Sequence, residues 1–206
     1  MTKSHGINDL HGIAQFSLFV TSYLPLFFLI IIRQLVLNFS FLNFGGFTFN
    51  ASIIFFQKFG ISALLIAISI IGFWGFIQTI SNIEANAENG FPVKIIDISN
   101  KNGEAIGYIA TYIIPFLFQN LNNWIDFLSI TFLLLVIYRI YINSTLLLIN
   151  PILSFKYSIF EIEYLEGDRS KRGLIISKDK YLPDDSEIKI YEIGYKLYYA
   201  INNSKL

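Results

Sequence analysis

The sequence predicts an α-helical membrane protein: four transmembrane helices, cytoplasmic N and C termini, and a small cytoplasmic β-rich domain at the end of the chain. Two observations on composition predict this fold class. The 206 residues are 54% hydrophobic and only 15% charged, with a mean hydropathy of +0.55, which is far from the composition of a water-soluble domain. Long apolar runs precede Asn150, and most charged residues follow it, so the chain is built for lipid first and water afterwards.

Four apolar runs are candidates to cross a hydrocarbon core about 30 Å thick at about 1.5 Å per residue. They cover about residues 13–32, 59–80, 105–121 and 124–142. Pro25 predicts a kink in the first run, because proline removes the hydrogen bond to the Thr21 carbonyl. We therefore divide the chain into a transmembrane domain over residues 1–150 and a β-rich domain over residues 151–206.

The basic residues set the predicted orientation. Lys3, Lys94, Lys101, Arg139 and the basic residues after Asn150 fall on one side of the four runs, and positive charge marks the cytoplasmic side. Both termini and the connection over residues 82–104 are then cytoplasmic. Within that connection, VKIIDIS alternates like a short strand and is expected to pair with the β-rich domain.

The Phe-rich stretch over residues 38–50 is predicted to be an outward-facing hairpin, because Gly45-Gly46 is a hairpin turn pair. Two interpretations stay open, a structural cap at the lipid boundary and part of a sensing or partner surface. The candidate outward surface is Phe41, Phe44, Phe47 and Phe49.

The third run carries a polar stripe at helical spacing. In lipid such a stripe faces the interior of a bundle, so it is a candidate switch or oligomer face, or the lining of a water path. The bland alternative is interface anchoring and hydrogen bonding to the helix's own backbone. Its residues are Tyr108, Thr111, Tyr112, Pro115 and Gln119.

The residues after Asn150-Pro151 alternate with period two and are broken by turns, which predicts a four-stranded sheet or barrel of about 55 residues. The charged stretch DRSKRG is typical of a solvated turn, and the alternative is a site that binds nucleic acid or anionic lipid. The tyrosines favour a protein-binding surface or a small core. The candidate partner surface is Arg169, Lys171, Arg172, Tyr191, Tyr195 and Tyr198.

Catalytic and metal chemistry find no support in the residues. The chain has no Cys and only two His, and no acids, His and nucleophile converge on one predicted element. We expect no catalytic, cofactor-binding or metal-binding residues, and no enzyme activity.

The stretches YIATYIIPFL (108–117), NPILSFKYSIFEIEY (150–164) and GLIISK (173–178), together with the layout of the whole chain, resemble the membrane subunit of the Kiwa anti-phage defence system, the KwaA family. The resemblance implies a bacterial inner-membrane protein that assembles as a homo-oligomer, expected as a tetramer. It also implies a sensor and scaffold that perceives infection and recruits or activates a cytosolic DNA-binding partner subunit, so that nucleic acid is met only through the partner. The alternative function is an oligomeric ion pore lined by the polar stripe.

Overall fold

The structure is a computed structural model and describes residues 10–42, 46, 48–103, 124–142, 150–167 and 169–202. Five α-helices and five strands are present in this part of the chain. The helices are α1 (Gly12–Ser22), α2 (Leu24–Leu37), α3 (Phe49–Asn86), α4 (Trp124–Ile142) and the single turn α5 (Leu153–Lys156), and the strands are β1 (Phe91–Asn100), β2 (Ser158–Glu166), β3 (Arg169–Ser177), β4 (Glu187–Gly194) and β5 (Leu197–Asn202).

Helices α1 and α2 form a bent pair with an angle of 53° between them. Pro25 lies in the first turn of α2, where its missing N–H costs no helical hydrogen bond. Before the bend, the Ser22 hydroxyl donates to the Phe19 carbonyl at 2.7 Å, and the Thr21 hydroxyl bonds carbonyls of the preceding turn. The predicted kink at Pro25 is therefore confirmed as a break between two helices.

Helix α3 is the longest element, with 38 residues and hence a length of about 57 Å. Thr48 begins it, because its hydroxyl accepts the Ala51 N–H at 3.3 Å as an N-cap. Helix α3 packs closely on α1 at two glycines. A Cβ on Gly72 would lie 2.6 Å from Val20 Cβ, and one on Gly75 would clash with the Ser17 side chain, so the backbones approach closely only because these positions lack a side chain.

The prediction of four transmembrane helices is wrong. Within the described ranges, α3 alone is long and apolar enough to cross a membrane, and a second crossing exists only if the bent α1–α2 pair counts as one. The first predicted run is divided by the break at Tyr23. Helix α4 covers the fourth predicted run, and within it the apolar stretch among the described residues is the shorter Thr131–Ile142. The run over residues 105–121 lies outside the described residues.

The predicted hairpin over residues 38–50 is wrong where the structure describes it. Residues Phe39–Phe41 form a 3-10 turn, and Phe49 is already the first residue of α3. Capping explains the difference, because Thr48 starts a helix at the position where the second strand was expected. Gly46 does adopt a positive φ of 79°, as the turn prediction required.

The strands close into a five-stranded barrel in the order β1-β2-β3-β5-β4, a Greek-key arrangement. All neighbouring pairs are antiparallel except β3–β5, which is parallel. Four strands come from the predicted β-rich domain. The fifth, β1, comes from the predicted loop over residues 82–104, where the expected pairing of VKIIDIS with the β-rich domain is confirmed: Ile98 pairs with Ile162.

Two apolar clusters organise the protein. The first fills the barrel with inward side chains such as Ile95, Ile162 and Ile175, all fully buried. The second joins the outer face of the barrel to the helices. Buried residues from both parts belong to this one cluster. The barrel side contributes Tyr157, Ile159, Ile176, Leu197 and Tyr199, and the helices contribute Leu18, Ile80, Ile83 and Tyr141. The barrel is thus a closed unit that also sits on the helical part.

Candidate functional site

A cleft of about 800 Å³ opens on the barrel between the β2–β3 hairpin and the β4–β5 turn. Its described lining combines hydroxyl, aromatic and charged side chains: Tyr164, Ser170, Lys171, Arg172, Glu192, Tyr195, Lys196 and Tyr198. In oligonucleotide- and oligosaccharide-binding barrels of Greek-key type, ligands lie on the strand 2–3 face and beside the loop between strands 4 and 5. The cleft therefore lies where a barrel of this kind presents a binding surface.

The β2–β3 hairpin supplies the charged wall of the cleft. Its register sets Glu163 opposite Arg172, and the Arg172 guanidinium donates to the Glu163 carboxylate through Nε at 2.9 Å and Nη2 at 2.8 Å. The Lys171 ammonium donates to the Glu166 carboxylate. The Ser170 hydroxyl and the Arg172 guanidinium, which both donate to it, hold the pKa of the Glu163 carboxyl below its usual range. The wall is thus a set of exposed, neutralised ion pairs.

Tyrosines form the floor and the rim of the cleft. The hydroxyls of Tyr164 and Tyr198 lie 2.9 Å apart, and their rings meet edge to face at 5.8 Å. Gly173 leaves room for this floor, because a Cβ there would lie 2.6 Å from Tyr198 Cε2. Tyr195 stands at the rim with 46% of its surface exposed, and the Lys196 ammonium lies 5.5 Å from the centre of its ring, a cation–π contact.

The structure brings together four of the six residues of the predicted partner surface, namely Lys171, Arg172, Tyr195 and Tyr198. Arg169 is the first residue of β3 on the same hairpin, opposite Glu166. Tyr198 was expected to be exposed, but it is only 7% exposed and belongs to the barrel interior, because it occupies an inward position of β5.

Tyr191 lies away from the cleft. It packs against the cluster shared with the helices and lines a second cavity of about 390 Å³, where the start of α1, the end of α3 and β4 meet. The prediction that Tyr191 and Tyr195 share one surface is therefore wrong. Tyr191 in β4 and Tyr195 in the β4–β5 turn lie on different sides of the barrel.

Glu84, in the last turns of α3, is the residue at which the helical part and the barrel join by charge. Its carboxylate accepts the Tyr157 hydroxyl, lies 2.9 Å from Lys178 Nζ and 3.9 Å from Lys156 Nζ, and is only 27% exposed. Burial, with the Glu84 carboxylate as a further cause, raises the pKa of Tyr157, and raises that of Tyr199 to about 12. Both phenols are thus neutral at physiological pH.

The sequence analysis did not single out Glu84, because its partners lie about 70 to 115 positions later in the chain. The sequence did contain one indication of this contact: an acid near the end of a long apolar run, with Lys and Tyr on predicted strands much later in the chain. No spacing rule connects such residues, since the connection depends on how the barrel docks.

Asn150 is a second residue whose role was missed. It is fully buried, and its side-chain oxygen accepts the Ile152 N–H at 2.9 Å and the Leu153 N–H at 3.3 Å, which starts α5. Its amide donates to the Leu18 carbonyl in α1 at 3.0 Å. Asn150 therefore holds the chain beside the α1–α2 bend at the point where it enters the barrel.

The remaining candidate residues divide into described and undescribed ones. The polar stripe Tyr108, Thr111, Tyr112, Pro115 and Gln119 lies outside the described residues, as do Phe44 and Phe47. Phe49 is exposed at the start of α3, and Phe41 lies under the Lys58 ammonium at 4.8 Å. Among the described residues, no group of three or more His, Cys, Asp or Glu side chains is placed to hold a metal ion.

Comparison with protein families supplies the identity. The family described as "Anti-phage protein KwaA" matches residues 14–199, a range that begins in α1 and ends in β5. The chain belongs to the KwaA family. The match confirms the resemblance seen in the sequence, and it gives the chain a role in anti-phage defence. No curated protein and no solved structure matches it.

The range of the KwaA match contains both parts of the molecule, the bent helices with α3 and the closed barrel. Glu84, Asn150 and the cleft all lie within it. The joint between helices and barrel thus lies within the residues that match the KwaA family, and so does the cleft.

Proposed function

We propose that this KwaA-family chain is a sensor and scaffold at the bacterial inner membrane, which perceives infection there and recruits or activates a cytosolic DNA-binding partner subunit. The proposal includes assembly as a homo-oligomer, expected as a tetramer, and binding without turnover of a substrate. The observation that carries it is the joint at Glu84, where a long lipid-compatible helix ends in direct contact with a closed barrel.

The surface of α3 supports the membrane part of this proposal. Only 17% of its most apolar stretch is buried inside the protein, and large side chains such as Ile70, Ile71 and Trp74 are exposed. Contiguous exposed apolar surface of this extent is unfavourable in water and favourable in lipid. At about 57 Å, α3 also exceeds the hydrocarbon thickness of about 30 Å, so its polar end reaches past the bilayer.

The second cavity supports placing both ends of the helical part on one side. Leu10 and His11, before α1, line this cavity together with Asn82 and Asn86 at the end of α3 and Ile193 of the barrel. The chain thus enters α1 and leaves α3 beside the barrel. If α3 crosses the bilayer, this arrangement sets the start of α1 and the barrel on the same, cytoplasmic, side.

The barrel cleft supports the recruiting part. Interfaces are enriched in Tyr and Arg, and the cleft presents an exposed tyrosine, an arginine and two lysines around a tyrosine floor. Each of its hairpin cations is matched by a glutamate, which suits a protein partner better than the phosphate backbone of a nucleic acid.

The test is retention of the soluble partner subunit of the same defence system by tagged full-length protein extracted from membranes. The double variant Tyr195→Asp with Lys196→Glu changes the rim of the cleft. The matched control, Tyr181→Asp with Lys180→Glu, makes the same chemical change in an exposed pair outside the cleft. We expect the cleft variant to stay in the membrane fraction, lose the partner and lose phage protection, while the control keeps all three. Equal partner retention by both variants would place recruitment elsewhere.

A further inference from the structure

Strand β3 has two halves with different neighbours. Its second half, Leu174 to Ser177, pairs with β2 on one side and with β5 on the other. Its first half, Arg169 to Arg172, pairs with β2, and the ladder to β5 begins only at Leu174. The barrel is therefore closed around its middle, but the β2–β3 hairpin extends past the closure and leaves one strand edge open.

The direction of the backbone groups on this edge follows from one hydrogen bond. The Leu174 N–H donates to the Lys196 carbonyl at 2.8 Å, so the N–H and C=O of Leu174 point away from β2. Backbone groups alternate in direction along a strand. Arg172 and Ser170 therefore also direct their N–H and C=O groups away from β2, on the side where β5 has not yet begun to pair.

The open edge borders the cleft. Ser170, Lys171 and Arg172 line one side, and Tyr195 and Lys196 of the β4–β5 turn line the other. A further strand lies about 4.7–4.9 Å from its neighbour, and a volume of about 800 Å³ lies in the range of sites that enclose a ligand, about 300–1,000 Å³. The space beside the edge thus has the size that a short extended segment needs.

Charge distinguishes a peptide from a polyanion as the occupant. Lys171 and Arg172 are already paired with Glu166 and Glu163, so a nucleic acid would have to displace two carboxylates. Lys196 has no carboxylate within ion-pair distance among the described residues, and its ammonium rests on the Tyr195 ring. One available cation beside an aromatic rim suits one carboxylate flanked by apolar side chains.

We propose that an extended segment of the soluble partner subunit adds as a strand to the open edge of β3 at Ser170 and Arg172. This inference rests on the proposed function and specifies its docking mode. In this mode main-chain hydrogen bonds supply affinity, and alternate side chains supply specificity. The segment carries an Asp or Glu that meets Lys196 and an apolar or aromatic side chain that packs on Tyr195 over the Tyr164–Tyr198 floor.

The test uses two variants that differ in one backbone group. Ser170→Ala and Ser170→Pro both lose the hydroxyl that donates to Glu163, but only proline also loses the outward N–H. Proline is tolerated on an edge whose N–H bonds no neighbouring strand, so the barrel keeps its fold. The probes are the purified partner subunit and overlapping 12-residue peptides that cover its sequence, measured against full-length protein in nanodiscs.

We expect one peptide to bind, with Ser170→Pro weaker than Ser170→Ala by roughly tenfold, since a hydrogen bond is lost and the proline ring blocks the edge. Hydrogen exchange at the amides of Ser170 and Arg172 should slow when the partner is added. Lys196→Glu should weaken the same peptide, and exchanging the peptide's acid for lysine should restore binding.

Three results would overturn the inference. Equal binding by Ser170→Ala and Ser170→Pro, with the partner still retained, would remove the docking mode and leave the proposed function intact. Absence of partner binding by the unmodified protein would instead mean that the proposed function itself fails. Binding of a 12-nucleotide oligothymidylate through Lys196, with no peptide bound, would make the cleft a nucleic-acid site.

Discussion

The barrel and the helical part solve the problem of apolar surface in opposite ways. The barrel turns alternate side chains inward, and its closed strand order leaves most backbone groups paired. Helix α3 instead leaves most of its apolar side chains outside the protein. The barrel carries its own core, whereas most of the apolar surface of α3 has no such core around it. The two parts therefore place their apolar side chains differently, although they share one cluster of buried residues where they meet.

The largest effect should come from truncating matched isoleucines in the two parts. Ile162 is fully buried in the barrel, and Ile71 on α3 is 62% exposed. We expect Ile162→Ala to lower the free energy of unfolding by about 2–5 kcal/mol through cavity formation, and Ile71→Ala to change it by less than about 0.5 kcal/mol. Denaturant titration in micelles, followed by circular dichroism, measures both. Comparable losses would mean that α3 is packed as tightly as the barrel.

The crossing of α1 and α3 gives the next largest effect. Gly72→Ala places a methyl group against Val20, whereas Gly60→Ala meets only the edge of the Phe56 ring at 4.0 Å. We expect Gly72→Ala to destabilise the helical part by about 1–3 kcal/mol through overpacking. Gly60→Ala should be neutral or slightly stabilising, since alanine favours helix. Thermal unfolding of the two variants in the same detergent tests this, and equal melting temperatures would contradict the close approach.

The joint between the two parts should contribute a smaller amount. Glu84→Gln leaves Lys178 without its carboxylate and weakens the bond from Tyr157, which we expect to cost about 1–2 kcal/mol. Glu88→Gln, at an exposed acid one turn further along, is the control and should have no effect. The measurement is limited proteolysis between α3 and β1, which should be faster only in Glu84→Gln if the joint holds the barrel on the helices.

The smallest effect is the stability lost at the exposed β2–β3 hairpin when the pH is lowered. Because the Ser170 hydroxyl and the Arg172 guanidinium lower the pKa of Glu163 in the folded protein, these contacts stabilise the fold above the unfolded-state pKa. This contribution is lost as pH falls through the folded-state value. Carboxyl NMR titration should show the Glu163 pKa rising toward 4.5 in Arg172→Ala, while Arg169→Ala leaves it unchanged. A Glu163 pKa that is insensitive to Arg172 would show that the pair does not persist in solution.

The sequence predicted the barrel better than the helices, and the reason is physical. Period-two alternation in stretches such as KYSIFEIEY depends on local geometry. It places Phe160, Ile162 and Tyr164 on one face, and these residues are found together in the barrel core. Apolar length, by contrast, does not determine how a run is divided. The break at Tyr23 depends on Pro25, and the start of α3 at Phe49 depends on the Thr48 cap. Both are local effects of single residues.

The candidate site was predicted in composition and not in arrangement. Lys171, Arg172 and Tyr195 could be chosen because charged turns and tyrosines mark surfaces. Tyr198 forms the floor and Tyr191 faces the helices because of the register between β4 and β5. In that register Glu192 pairs with Tyr198, and the pairing shifts between Glu192 and Gly194. A single shifted position reverses the side on which a residue lies, and composition carries no information about that shift.

The position of β1 in the barrel has a consequence for how the protein is made. Phe91 pairs with Ile190, about a hundred positions later, so at typical synthesis rates of 5–20 residues per second β1 waits roughly 5–20 s on the ribosome for its second neighbour. During that time it is a strand with an unsatisfied edge, directly after the long apolar helix α3. Closure of the barrel is therefore a late event in biosynthesis, and a chain interrupted before β4 leaves β1 exposed as a target for chaperones and proteases.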